Sequence, residues 1–133
     1  MLEFASSIPG RFSYAAGRCN IGTAEIARRR RFGHLGLAIT LLLLAVLVLA
    51  DAPREGRLLL FLPAAGSAAG YLQARLRFCA AFGWWGVFNF GRLGDVRLVA
   101  DPDDLRRDRL MALAIGAGAA FAGLLVAGAA YLV

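Results

Sequence analysis

Three side chains in this sequence have the chemistry of a functional site: two cysteines and a single histidine. Cys19 precedes the first long apolar run and Cys79 follows the second, so antiparallel helices would bring both thiols to the same end. Nearby arginines favour the reactive thiolate, which would suit a redox or sulfur-relay pair. The alternative is two small, semi-buried residues without chemistry.

The histidine, His34, lies between Gly33 and Gly36 where the first apolar run begins. A histidine on such a helix can ligate haem iron or chlorophyll magnesium, and the glycines would leave room for a flat macrocycle. The alternative is a histidine that bonds to lipid headgroups or backbone. Two cysteines and one histidine are too few for a four-ligand site, so we predict no metal.

No catalytic constellation is recognisable. The sequence has no Ser-His-Asp set, HExxH, phosphate loop or dinucleotide fingerprint. The carboxylates of Asp103 and Asp104 are explained by a helix start, where negative charge is favourable. We therefore expect a non-enzymatic protein with no catalytic residue and no small-molecule substrate.

Three uncharged runs must position these side chains. They cover residues 32–50, 58–74 and 110–133, and a helix of about 20 apolar residues crosses about 30 Å of hydrocarbon. Thr23 is predicted to cap the first helix and Asp101 the third, with Pro102 at the first helical position. The predicted fold is all-α, with three transmembrane helices. We divide it into an irregular or interfacial segment (1–22), a transmembrane hairpin with an aromatic segment (23–90), and a loop with the third helix (91–133).

Charge predicts the orientation. All fifteen basic residues are arginine, and thirteen of them fall within residues 1–34 and 75–109. Basic residues beside membrane helices stay in the cytoplasm, so we predict a multi-pass inner-membrane protein with a cytoplasmic N-terminus and the C-terminus opposite. This distribution argues against nucleic acid as the partner behind the net charge of +6. Four consecutive arginines act as a topology signal or also bind anionic lipid: Arg28, Arg29, Arg30 and Arg31.

Aromatic and small residues suggest further contacts. Residues 78–90 are uncharged but too short for a separate span, so they predict an interfacial segment anchored by Trp84 and Trp85. A binding surface or a pigment contact is the alternative for the tryptophans. Small residues at four-residue spacing predict helix packing, either among the three spans or against other subunits. They are Gly66 and Gly70 in the second span and Ala112, Gly116 and Ala120 in the third.

A family resemblance rests on Asn20-Ile21-Gly22, Glu25, the arginine-led first span, a short turn, a second span, and Cys79 with Gly83 and Gly86 after it. Over about residues 19–86 this order resembles the YgaP-like transmembrane domain family. The resemblance implies a two-helix hairpin and a role for Cys79. It also implies a connection with sulfur handling, because some members of that family are fused to a rhodanese domain.

The leading functional prediction is a small non-enzymatic accessory or structural subunit of a larger bacterial-type membrane complex. Its partners would be membrane lipids and other membrane subunits, and no cofactor is predicted for it. One alternative is a thiol- or sulfur-handling membrane module that uses Cys19 and Cys79. A further alternative is a subunit that contacts a haem or chlorophyll-type macrocycle through His34 in a photosynthetic or respiratory complex.

Overall fold

The computed structural model describes residues 13–133, so residues 1–12 of the predicted N-terminal segment lie outside the described residues. The described chain is mostly helical, as predicted. In order it contains α1 (Thr23–Leu49), a 3-10 helix (Arg54–Leu60), α2 (Phe61–Leu76), α3 (Ala80–Trp85), strands β1 (Val87–Phe88) and β2 (Arg97–Leu98), and α4 (Pro102–Leu132). The strands form an antiparallel pair, which the all-α prediction did not include.

Two helices, α1 and α4, are long and apolar enough to cross a membrane. Only 11% of the most apolar part of α1 and 28% of that of α4 are buried inside the chain, whereas a core helix of a soluble protein would be mostly buried. The helix α2 has 16 residues, fewer than the about 20 that a span normally needs. By this criterion residues 13–133 contain two candidate spans, so the three predicted spans are not shown.

Helix ends follow local sequence signals in two of three cases. The Asp101 carboxylate accepts a hydrogen bond from the Asp103 backbone N–H at 2.9 Å, which confirms the predicted cap of α4. The predicted cap at Thr23 is wrong: Gly22 takes that position, and no side chain caps α1. At its other end α1 closes with Asp51 in the left-handed region at φ 52°, and Ala52 N–H donates to the carbonyl of Leu47 at 3.0 Å.

Helix α2 packs between α1 and α4. Its approach to α1 depends on glycine: a Cβ on Gly70 would lie 2.6 Å from the backbone nitrogen of Gly33, and one on Gly36 would lie 2.8 Å from that of Ser67. The Ser67 hydroxyl donates to the Gly33 carbonyl at 2.7 Å across the same contact. Of the predicted glycine pair in α2, therefore, Gly70 packs against α1, whereas no described atom lies within 4 Å of a Cβ on Gly66.

The buried face of α4 differs from the predicted small-residue stripe. Ala112 is buried, but no described atom lies within 4 Å of a Cβ on Gly116, and Ala120 is only partly buried. The packed face steps three residues from Ala112 to Ile115, which follows the 3.6-residue period more closely than a strict four-residue repeat does. It consists of Asp108, Ala112, Ile115, Ala119, Gly123 and Ala127.

Candidate functional site

A buried polar cluster lies at the arginine-rich end of α1 and α2. It consists of Asn20, Glu25, Arg29, Cys79 and Asn89, and each of these residues is at most 9% exposed. They come from the segment before α1, from α1 itself, and from the segments on either side of α3. Polar groups at this depth are costly unless they are hydrogen-bonded, so the bonds within the cluster specify its geometry.

Arg29 is the centre of the polar cluster. One guanidinium nitrogen, Nη1, donates to Glu25 Oε1 at 3.0 Å, and the other, Nη2, donates to Cys79 Sγ at 2.8 Å. Glu25 and Arg29 are one helical turn apart on α1, the spacing at which side chains meet. Because a guanidinium can only donate, the sulfur is the acceptor in this contact.

The second carboxylate oxygen of Glu25 is also occupied. Asn89 Nδ2 donates to Glu25 Oε2 at 3.3 Å, and the same amide donates to the Arg92 carbonyl at 2.6 Å. The Glu25 carboxylate therefore connects α1 to the loop after β1.

Asn20 fixes the backbone of Cys79. Its Oδ1 accepts from the Cys79 backbone N–H at 2.6 Å, and its Nδ2 donates to the Cys79 carbonyl at 3.1 Å. The backbone of Asn20 in turn accepts from Asn89 N–H at 2.9 Å, and Gly22 N–H donates to the Asn89 carbonyl at 2.8 Å. A Cβ on Gly22 would lie 2.8 Å from the backbone of Phe90, so this pairing requires a glycine. The motif Asn20-Ile21-Gly22 thus orients the sulfur that Arg29 contacts.

The two cysteines have different surroundings. Both are free and buried, and Cys19 Sγ lies 3.8 Å from the Ile21 carbonyl, whereas Cys79 Sγ accepts from Arg29. Burial raises the pKa of the Cys19 thiol. Asn20 follows Cys19 in the chain and bonds to the backbone of Cys79, so it links the two cysteine segments. The two sulfurs nevertheless contact different groups, the Ile21 carbonyl and the Arg29 guanidinium.

Within the arginine block only Arg29 is buried. Arg28 is about half exposed, lies 4.0 Å from Glu25, and packs over the Phe32 ring at 5.6 Å. Arg30 and Arg31 are exposed. The prediction from sequence gave the four arginines the same role. The spacing of one helical turn between Glu25 and Arg29 is the sequence signal that could have distinguished Arg29.

His34 contacts a tyrosine. Its Nδ1 lies 2.7 Å from the Tyr71 hydroxyl, with the two rings edge to face. The neighbouring glycines pack on α2, because a Cβ on Gly33 would lie 2.8 Å from the Tyr71 ring and one on Gly36 would lie 2.8 Å from the backbone of Ser67. A macrocycle at His34 stays a prediction. Among residues 13–133, no group of three or more histidine, cysteine or acidic side chains could hold a metal ion.

The aromatic segment divides into a core and an exposed part. Phe78 is fully buried beneath Gly83, where a Cβ would lie 2.6 Å from the phenylalanine ring. Trp84 and Trp85 are 49% and 71% exposed. Arg109 of α4 donates through Nε to the Trp84 carbonyl at 3.1 Å and lies over its ring at 5.7 Å, so Trp84 is held against α4.

A second buried carboxylate, on Asp108, was not anticipated from the sequence. Tyr14 donates its hydroxyl to Asp108 Oδ2 at 2.8 Å, and Gly17 N–H donates to Oδ1 at 2.7 Å. Tyr14 also stacks on Phe88 with 4.8 Å between ring centroids. Burial and the neighbouring Asp108 charge raise the pKa of Tyr14. This carboxylate fastens the segment before α1 to the start of α4.

Comparison of this chain with protein-family models, with characterised proteins and with solved structures finds no match.

Proposed function

We propose that this chain is an integral protein of the inner membrane that crosses it three times, with a cytoplasmic N-terminus and the C-terminus opposite. Helices of 27 and 31 residues reach about 40 and about 46 Å, more than the hydrocarbon needs. The third crossing is the uncharged run 58–74, which is the end of the 3-10 helix followed by most of α2. Three residues at about 2.0 Å and fourteen at about 1.5 Å give about 27 Å if the two are collinear, close to the thickness of the hydrocarbon.

The apolar outer surface supports this proposal. Many large apolar side chains of α1, α2 and α4 lie outward, including Leu42, Leu49, Leu62, Phe121 and Leu124, which are 63% to 86% exposed. Soluble monomers rarely expose contiguous apolar patches of more than a few hundred Å². Lipid is the solvent that suits such a surface.

Within the membrane, we propose a non-enzymatic accessory subunit that binds another membrane protein through the outward face of α4. The observation that supports this is the open space at Gly116, where no described atom lies within 4 Å of a Cβ. Gly116 is not part of the face of α4 that is buried in the chain. Small residues on a membrane helix allow a second helix to approach closely.

The experiment is purification from the native membrane in mild detergent. We expect the unmodified chain to comigrate with a larger protein, and Gly116→Leu to release it because the new side chain separates the two helices. Gly66→Leu, an equally open glycine on α2, is the matched control and should retain the partner. A clean monomer at native abundance would contradict the accessory role.

A second candidate function, a thiol- or sulfur-handling module, is favoured by the 2.8 Å contact between Arg29 Nη2 and Cys79 Sγ. This contact holds the Cys79 sulfur against the one buried guanidinium of the arginine block, in a geometry fixed by the Asn20 side chain. The resemblance to the YgaP-like family points the same way and stays a prediction.

Cysteine-resolved alkylation followed by mass spectrometry tests this candidate. After exposure to inorganic polysulfide, the Cys79 sulfur should form a bond to one sulfane sulfur as that atom's S–S bond breaks, so that a persulfide forms and the polysulfide leaves one sulfur atom shorter. Arg29→Gln should reduce that labelling. Arg30→Gln, which removes the same charge from the exposed side of α1, should not. Two thiols that stay unmodified under polysulfide and oxidant would dispose of sulfur handling.

A further inference from the structure

A groove of about 490 Å³ runs between α1 and α2 and is lined by residues of these two helices together with Cys79 and Ala81. Its walls are mostly apolar or small, with Phe32, Gly36 and Ile39 on α1 and Pro63 and Gly66 on α2. Arg28, Gln73 and Cys79 line one end only. The groove is therefore amphipathic along its length.

The length of the groove matches one leaflet of a bilayer. From Arg28 to Ile39 along α1, and from Gln73 back to Pro63 along α2, the helical rise gives about 15 Å. This is half of the about 30 Å of hydrocarbon in a typical bilayer. The polar end coincides with the arginine block, which the charge distribution assigns to the cytoplasmic side.

The groove is narrow on the scale of a helix. Spread over about 15 Å, the volume corresponds to a mean cross-section of about 33 Å², whereas a helix with its side chains is about 10 Å across. A single hydrocarbon chain is narrow enough to fit. Gly66 leaves this space open, since no described atom lies within 4 Å of its Cβ position.

Charge at the polar end selects an anion. Arg28 is about half exposed there, and its acidic neighbour Glu25, 4.0 Å away, is bound more closely by Arg29 at 3.0 Å. Arg30 and Arg31 add positive charge to the same end of α1. Basic side chains at the membrane surface attract anionic headgroups.

We propose that this groove binds one acyl chain of an anionic phospholipid from the cytoplasmic leaflet, with its headgroup at Arg28. The inference depends on the membrane insertion proposed above but not on the accessory role. A lipid held here covers the α1–α2 contact from the side on which Gly36 and Gly70 line the groove.

Native mass spectrometry of the delipidated full chain, with phosphatidylglycerol or phosphatidylcholine of identical acyl chains added back, tests the proposal. We expect one phosphatidylglycerol per chain. Gly66→Leu fills the groove and should weaken this binding at least tenfold, whereas Gly116→Leu, on α4, should leave it unchanged. Arg28→Gln should remove the preference for phosphatidylglycerol over phosphatidylcholine.

Equal phosphatidylglycerol binding by Gly66→Leu and the unmodified chain would overturn the proposal, as would equal binding of the two lipids by the unmodified chain. If oleate competes fully at equal concentration, the ligand is a free fatty acid and the phospholipid assignment is wrong. A chain that is extracted from membranes without detergent would instead refute membrane insertion. Loss of a copurifying protein in Gly66→Leu, with lipid binding intact, would assign the groove to a protein partner.

Discussion

Replacing Arg29 by glutamine should destabilise the fold more than any other single change in the arginine block. The Glu25 carboxylate is 1% exposed and bonds to Arg29 at 3.0 Å. Without the guanidinium, its neighbours are the Asn89 amide at 3.3 Å and the Arg28 guanidinium at 4.0 Å. The Cys79 sulfur loses its 2.8 Å donor at the same time.

The expected loss is about 3 kcal/mol. Removing one partner of a buried ion pair costs about 3–5 kcal/mol, because the remaining charge stays buried and unpaired. We expect the lower end because Arg28 is near enough to the Glu25 carboxylate to compensate in part. Combining Arg29→Gln with Glu25→Gln should recover part of the loss, since the double variant no longer buries a lone charge.

The free energy of unfolding in detergent micelles, from a denaturant titration followed by circular dichroism, measures this effect. Arg30→Gln is the matched control, because it removes the same charge from an exposed position one residue away. Its effect should be within about 0.5 kcal/mol of zero. Equal losses for the two variants would refute the reasoning, because the buried bonds of Arg29 would then contribute nothing measurable.

Three other predictions follow from single contacts. Tyr14→Phe should lower the free energy of unfolding by about 1.5–3 kcal/mol, because it removes the hydroxyl donor to the buried Asp108 carboxylate; no loss in the same titration would contradict this. Burial raises the pKa of Cys19, so its rate of maleimide labelling at neutral pH should be lower than that of a free thiol. The rate should rise when the pH exceeds the usual pKa of thiols. Labelling at the rate of a free thiol would contradict the burial of Cys19. Gly70→Leu should lower the free energy of unfolding by about 1–3 kcal/mol, because its Cβ would lie 2.6 Å from the backbone of α1. Gly66→Leu should leave it nearly unchanged. Equal free energies of unfolding for the two variants would contradict the packing of α2 on α1.

Sequence signals were sufficient where the determinant is local. The end of the first helix near Asp51 and the cap at Asp101 each depend on a few consecutive residues, and in the structure the helices end and begin within two residues of those positions. The cap at Thr23 failed for a tertiary reason. Gly22 N–H bonds to the Asn89 carbonyl, so the chain is extended up to Gly22 and the helix begins one residue earlier than predicted.

Composition identified which residues are small but not which way they face. Gly66 and Gly70 are on one helix, yet only Gly70 meets α1, because the facing surface is set by where the partner helix lies. Gly116 falls outside the packed face of α4 for the same reason. The contact of Cys79 with Arg29 joins residues 50 positions apart, so it required the folded chain. The Glu25–Arg29 pair was readable from its four-residue spacing.

The number of membrane crossings is tested most directly at the end of α4. With three crossings, alkaline phosphatase fused after Val133 is active outside the cytoplasm, and green fluorescent protein at the same position is dark. With α1 and α4 as the only crossings, both ends of the chain face one compartment. A bright fluorescent fusion and an inactive phosphatase at Val133 would therefore contradict the three-span account.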